Sequence, residues 1–265
     1  MHKFFLTFLF LSITFINLFS QNKQDYYWIS NNRTYQDTGS LEYFSYEYVF
    51  DFNNLTGKDP VTLSQLCPIM FTGLNASIAD EEGNLLFYSN GCQVVDANHQ
   101  IMPNGTELNN NDYFESLGFS CASGYIGQQD ILILPDPVNE LGYYIFHKPI
   151  IKKKEEVNEK YRELRYSYVD LSLNNGRGEV TEKNIIISGE HELAYSYLTA
   201  IPHSNGKDWW IINPTKDSNE YLTILLNKNG VSQVSTQAIG PDFHWNASAG
   251  GLAQFSPDGN TYAYF

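Results

Sequence analysis

Four stretches of the chain carry one pattern: a short apolar stub, a polar turn rich in Pro, Asp, Asn and Gly, then an aromatic and aliphatic run. They are SIADEEGNLLFYSN (77–90), LILPDPVNELGYYIFH (132–147), AIPHSNGKDWWIIN (200–213) and QFSPDGNTYAYF (254–265). Each predicts a β-hairpin, because Pro fixes the φ that a tight turn needs and Gly supplies the positive φ that closes it. With Asp80, Pro135, Pro202 and Pro257 as equivalent turn positions, the spacings are 55, 67 and 55 residues, more than one hairpin fills. The intervening chain supplies further strands: LRYSYVDLSL (164–173) and EVTEKNIIIS (179–188), then EYLTILLN (220–227) and VSQVSTQAI (231–239). Short Asn- and Gly-containing turns separate the two members of each pair.

Each repeat therefore predicts four strands, and recurrence at such a period points to a repeat architecture. Stretches such as WWII (209–212) and NLLFYS (84–89) are apolar at successive positions, so both faces of the strand are to be buried. A sheet buried on both faces and repeated along the chain predicts an all-β β-propeller of four-stranded blades. About three and a half blades fit into the chain, so the expectation is an incomplete ring, a fragment of the full propeller. EYFSYEYVFDF (42–52) is the expected ring-closing strand.

Two stretches depart from the repeat. Residues 97–130 read as a polar, Gly-rich loop insertion, of the length that is usually functional or poorly ordered. Residues 151–163 (IKKKEEVNEKYRE) read as a charged, solvated extension of a hairpin in the second repeat. At the amino terminus Lys3 precedes the apolar run Phe4–Phe19, which gives way to polar residues from Ser20 onward. That is the layout of a secretory signal peptide, and the run falls short of the roughly 20 residues that span a bilayer. The expected organisation is a signal peptide at 1–20, an N-terminal lead at 21–52 and a partial propeller at 53–265.

The segments SIADEEGNLLFYSNGCQV (77–94), HQIMPNGTEL (99–108), ILILPDPVNELGYYIFH (131–147), YSYVDLSLNNGRGEVTEKN (166–184), LTAIPHSNGKDWWII (198–212) and FSPDGNTYAY (255–264), taken in that order, resemble a known family. It is the secreted, WD40-like propeller region of Bacteroidota gliding-motility-associated proteins and type IX secretion substrates. The resemblance implies a propeller of about seven blades, export across both membranes, and a sorting domain at the carboxyl end of the full protein. It carries over no catalytic residue.

Charge narrows the partners. The chain has 16 basic and 30 acidic residues, a formal charge of −14, which repels phosphate backbones and opposes nucleic-acid binding. Its 19 Tyr and 17 Phe favour half-buried pleated surfaces and reinforce the reading of sheets. Export permits disulfides among Cys67, Cys92 and Cys121, and the spacing alone leaves their connectivity open. Cys92 with Cys121 is the first choice because it would staple the loop between them, leaving Cys67 over. No CxxC or His-x3-His spacing suggests a metal site, and no cofactor is implied.

Several residues carry candidate chemistry. Glu190, His191 and Glu192 form the most suggestive acidic cluster, against an ordinary polar connection. His203 and Asp208 flank the AIPHSNGKDWW turn as binding residues, against a hairpin in which Asp bonds its own backbone. His147 closes the strand GYYIFH and reads as a core or rim histidine. Trp209 and Trp210 read as packing between sheets, whereas Trp245, in the loop GPDFHWNASAGG, is the better candidate to stack on a sugar ring. No nucleophile elbow, zinc-protease, phosphate-loop or dinucleotide motif occurs. The expectation is a non-catalytic, secreted or cell-surface propeller that binds or scaffolds a protein or polysaccharide. The alternative is an exported glycan hydrolase or lyase with carboxylates at the channel mouth.

Overall fold

The computed structural model describes residues 27–33, 45–51, 61–66, 68–71, 73–152, 160–188, 191–240 and 251–264. The signal peptide, Cys67, Glu190, Trp245 and the middle of the charged run at 153–159 lie outside them. The described chain is all-β. Strands β1 (Tyr27–Arg33), β2 (Ser45–Asp51) and β3 (Val61–Leu66) form one antiparallel sheet in that order. A second three-stranded sheet holds β4 (Ala76–Ala79), β5 (Leu85–Ser89) and β6 (Val94–Asp96).

A short helix follows, α1 (Asp112–Ser116). The third sheet has four strands, β7 (Ile131–Pro135), β8 (Gly142–His147), β11 (Leu164–Asp170) and β12 (Glu179–Ser188), side by side in that order. A two-stranded ribbon, β9 (Ile150–Lys152) with β10 (Lys160–Arg162), branches off between β8 and β11 at the predicted charged hairpin. The fourth sheet is a plain meander of β13 (Thr199–Pro202), β14 (Trp209–Pro214), β15 (Glu220–Asn227) and β16 (Gly230–Ala238). A last hairpin pairs β17 (Ala253–Phe255) with β18 (Tyr262–Tyr264).

The four repeated segments are therefore the hairpins β4–β5, β7–β8, β13–β14 and β17–β18, and their turns share one hydrogen bond. The amide of Asp80, Asp136, His203 or Ser256 donates to the carbonyl of Asn84, Gly142, Asp208 or Thr261, at 2.8–2.9 Å. A side-chain carbonyl or carboxylate closes each turn from inside: Asp80 Oδ1 accepts from the Asn84 amide, Asp136 Oδ1 from Val138, Asn205 Oδ1 from Lys207, and Asp258 Oδ1 from Asn260. This is the reason for the Asp and Asn content of the repeat, because a side chain that mimics a backbone acceptor offsets the entropy of the bend.

The third sheet shows how successive apolar residues are used. Alternation along β7 and β8 sends Ile131, Ile133, Tyr143 and Ile145 to one face and Leu132, Leu134, Tyr144 and Phe146 to the other. The first face packs on Phe87 and Val94 of the second sheet, the other on Ile211, Leu222 and Ile224 of the fourth. Each of these side chains that is fully buried contributes on the order of 1.5–3 kcal/mol, and the half-buried Leu132 and Tyr144 contribute less. First strands of consecutive sheets also lie together: β1 touches β4, β4 touches β7, and β13 touches β17. The last strands β12 and β16 meet as well. Gln129, just before β7, ties three of these starts: its side chain donates to Ala253 O (2.8 Å) and accepts from Ala253 N (2.6 Å), and its carbonyl accepts from Leu198 N (3.0 Å). The described sheets do not close into a barrel or ring.

Two expectations, one about a loop and one about a strand, look different in three dimensions. Residues 97–130 are packed, because Met102, Leu108, Phe114 and Tyr125 are buried in the core between the second and third sheets. Asn111 caps α1 through Phe114 N, and Cys92 is joined to Cys121 across 5.2 Å between Cα atoms, the first choice made for the loop it staples. The stretch read as a ring-closing strand contains β2, which is paired on both sides by β1 and β3, so both its edges are already used.

Candidate functional site

Facing strands of the third sheet bring three tyrosines together. Tyr144 on β8 lies opposite Tyr168 on β11, and Tyr166 is its diagonal neighbour. Their rings sit 4.9 Å apart edge-on (Tyr144–Tyr168) and 5.4 Å apart tilted (Tyr144–Tyr166), the cross-strand contacts that aromatic pairs favour. The turn between β15 and β16 forms the opposing wall, with Gly230 so near that a Cβ there would lie 3.2 Å from the Tyr144 hydroxyl. Between the walls runs an open groove of about 710 Å³, lined also by Asp136, Glu182 and the exposed Val138 and Ile186.

The polar atoms of this groove are arranged with one bias. Tyr168 donates its hydroxyl hydrogen to Asp136 Oδ2 (2.8 Å), and Tyr166 donates to Glu182 Oε2 (2.7 Å). Asn139 Nδ2 donates to the Tyr168 oxygen at 3.1 Å. Burial, and then the charges of Asp136 and Glu182, push the Tyr144 phenol up to about 12. Tyr166 and Tyr168 are held above the ordinary phenol value by burial and by their carboxylate partners. All three phenols thus stay protonated at neutral pH.

A second cavity, of about 440 Å³, lies between β13 and β17 and is lined by Gln129, Thr199, Ile201, Ala253 and Phe255 among others, none of them charged. Its walls mix aliphatic and aromatic side chains with the uncharged polar ones of Gln129, Thr199, Gln254 and Ser256.

The most heavily charged interior site is structural in its geometry. Lys148 is fully buried, and its ammonium meets Asp130 Oδ1 (2.8 Å), the carbonyls of Ala194 and Ser196, and Asn213 Oδ1 (2.6 Å). Arg162 donates to Lys148 O and stands 3.0 Å from Asp130 Oδ2, off the line of a directed hydrogen bond. It also lies 4.3 Å over the Tyr195 ring. Burial pulls the Lys148 pKa down to about 8, while the charge and hydrogen bond of Asp130 oppose the shift. A buried cation surrounded by acceptors satisfies the rule that interior charges must be paired, and here it joins the third sheet to the fourth.

His147 is the other interior polar group. Its Nδ1 meets Asn109 Oδ1 (2.5 Å) and its Nε2 meets Ser167 Oγ (3.0 Å), with no exposed surface. Burial first, then the charge of Arg165, lowers its pKa to about 3, so the ring is neutral. Asn184, in the left-handed region of β12, donates its amide to Ser167 Oγ and accepts from Asn109 N. The histidine is a core residue that anchors the disulfide loop.

The residues singled out in the sequence are scattered. His203 and Asp208 lie in the exposed β13–β14 turn, where Asn205 Nδ2 donates to Asp208 Oδ2 (2.7 Å) and His203 Nδ1 accepts from Asn205 N. Glu192 pairs with Lys216 (2.7 Å). Trp209 packs on the core between the third and fourth sheets, and the Trp210 ring lies 5.9 Å from His203. Among the described residues no three His, Cys, Asp or Glu side chains gather closely enough to hold a metal ion, and no helix is long and apolar enough to cross a membrane. The groove residues were missed because Tyr144, Tyr166 and Tyr168 read as ordinary strand aromatics; the usable signal was the density of Tyr in β8 and β11 beside Asp136 and Glu182. No protein-family model matches the chain, and no curated protein matches it.

Proposed function

We propose that this protein is an extracellular, non-catalytic β-propeller module that binds a polysaccharide in the tyrosine groove between its third and fourth sheets. The propeller reading is supported by the repeated meanders, by first strands lying beside first strands, and by sheets buried on both faces. Export is supported by the apolar run at residues 4–19 and by a disulfide, a bond that persists in oxidising compartments.

One observation carries the binding reading: an open groove of about 710 Å³ walled by Tyr144 and Tyr166 and fringed with carboxylates. Sugars are recognised by apolar ring faces against aromatics together with hydroxyl hydrogen bonds, and this groove supplies both kinds of surface. The two carboxylates are each tied to a phenol, an arrangement suited to holding a ligand rather than to transferring a proton.

Affinity electrophoresis through gels containing cellulose derivative, xylan, alginate or chitosan tests the reading. The full chain is expected to be retarded by at least one of these polymers without cleaving it, and Tyr144→Ala to abolish the retardation. Free migration in all four gels, or released oligosaccharide, overturns it.

A further inference from the structure

Resting on that reading, we infer that the groove selects a polysaccharide bearing free, protonated amino groups. The reason is a census of donors and acceptors. The hydroxyl hydrogens of Tyr166 and Tyr168 are spent on Glu182 and Asp136, and one hydrogen of the Asn139 amide is spent on Tyr168. On the tyrosine wall, what remains for a ligand is carboxylate oxygen, phenol lone pairs and ring faces, together with the Tyr144 hydroxyl, which has no hydrogen-bond partner among the described residues; the donors of the groove, Lys228 and Asn229, stand on the opposite lip. An acceptor-rich aromatic wall calls for a ligand rich in donors.

Charge points the same way. Among the described residues neither Asp136 nor Glu182 has a lysine or arginine within ion-pair distance. Lys228 lines the opposing lip without pairing to them. The chain as a whole carries −14, so a cationic polymer is drawn in at long range and an anionic one repelled. A primary ammonium presents three donors, and a tyrosine face adds cation–π attraction within about 6 Å of the ring. Hexosamine units combine such an ammonium with the apolar ring face that the tyrosines can cover.

Calorimetric titration with the glucosamine tetramer and the N-acetylglucosamine tetramer, at a pH where the free amine is protonated, tests this with the full chain. The glucosamine tetramer is expected to bind at least tenfold more tightly, and more weakly as salt is raised. Glu182 is exposed on β12, so Glu182→Gln keeps the fold; it is expected to weaken the glucosamine tetramer about tenfold and the acetylated one less, so that the ratio of the two affinities falls. Equal affinity for the two tetramers overturns the amine selectivity and leaves the polysaccharide reading standing. Binding of an oligolysine peptide with no binding of either tetramer, or binding of none of the three, overturns the amine selectivity, and the polysaccharide reading then falls only if the chain also migrates freely in all four gels.

Discussion

Acid should weaken this fold through His147 specifically, and the size of the effect follows from its surroundings. The ring has no exposed surface and both nitrogens are engaged, by Asn109 and by Ser167. Folding lowers its pKa from 6.5 to about 3, by burial first and by the charge of Arg165 second. Between those two values the unfolded chain binds a proton that the folded chain does not. Stability therefore rises with pH across that window, is fully present above the unfolded value, and is lost as the pH falls toward the folded one. At about 1.4 kcal/mol per pH unit on the full slope, the loss between pH 7 and pH 5 is about 2 kcal/mol. Urea unfolding followed by tryptophan fluorescence at the two pH values measures it, and His147→Gln supplies the reference. Glutamine keeps a donor for Asn109 and an acceptor for Ser167 but does not titrate. The wild type is expected to lose about 2 kcal/mol more than the variant over that interval, with an unchanged urea slope. Equal losses in the two proteins would refute the account, because His147 would then accept its proton without unfolding.

Three other outcomes follow from particular contacts. Replacing Cys92 and Cys121 by Ser opens a loop of 29-residue separation and is expected to cost about 3.5 kcal/mol in the chain-entropy model, read as a lower urea midpoint. Lys148→Met leaves Asp130 with the Ser196 amide and, among the described residues, Arg162 as its one counter-charge, and is expected to cost about 3–5 kcal/mol; the double variant with Asp130→Asn should lose less than the sum of the single changes, which a double-mutant cycle measures. Gly142→Ala places a methyl group on the Tyr168 hydroxyl and should break its bond to Asp136, so the tyrosine ultraviolet titration shifts to lower pH and retardation by polysaccharide weakens, with the fold intact by circular dichroism. An unchanged titration curve would mean that the Tyr168–Asp136 bond does not set that phenol's pKa.

The sequence by itself determined the hairpins and their turns. Pro, Asp, Asn and Gly act within four or five residues of where they stand, so Asp80, Asp136, Asn205 and Asp258 could be read as turn residues from spacing alone. Runs such as WWII and NLLFYS announced strands apolar at successive positions, and within the third sheet β7 and β8 place apolar side chains in the core on both faces. The Cys92–Cys121 bridge was legible as a preference, through the loop it would close.

What only the tertiary structure decided is which distant residues meet. Lys148 finds Ala194, Ser196 and Asn213 at separations of 46, 48 and 65 residues, and the left-handed Asn184 reaches Asn109 across 75. The loop at 97–130 looked polar because its few apolar residues are spaced with no regular period, yet Leu108, Phe114 and Tyr125 are its buried anchors. The groove shares this origin, since β8, β11, β12 and the β15–β16 turn each supply part of it. A two-residue period tells a side chain which face of its strand to take. It carries no information about which sheet will cover that face, because that choice is fixed by packing between segments far apart in the chain.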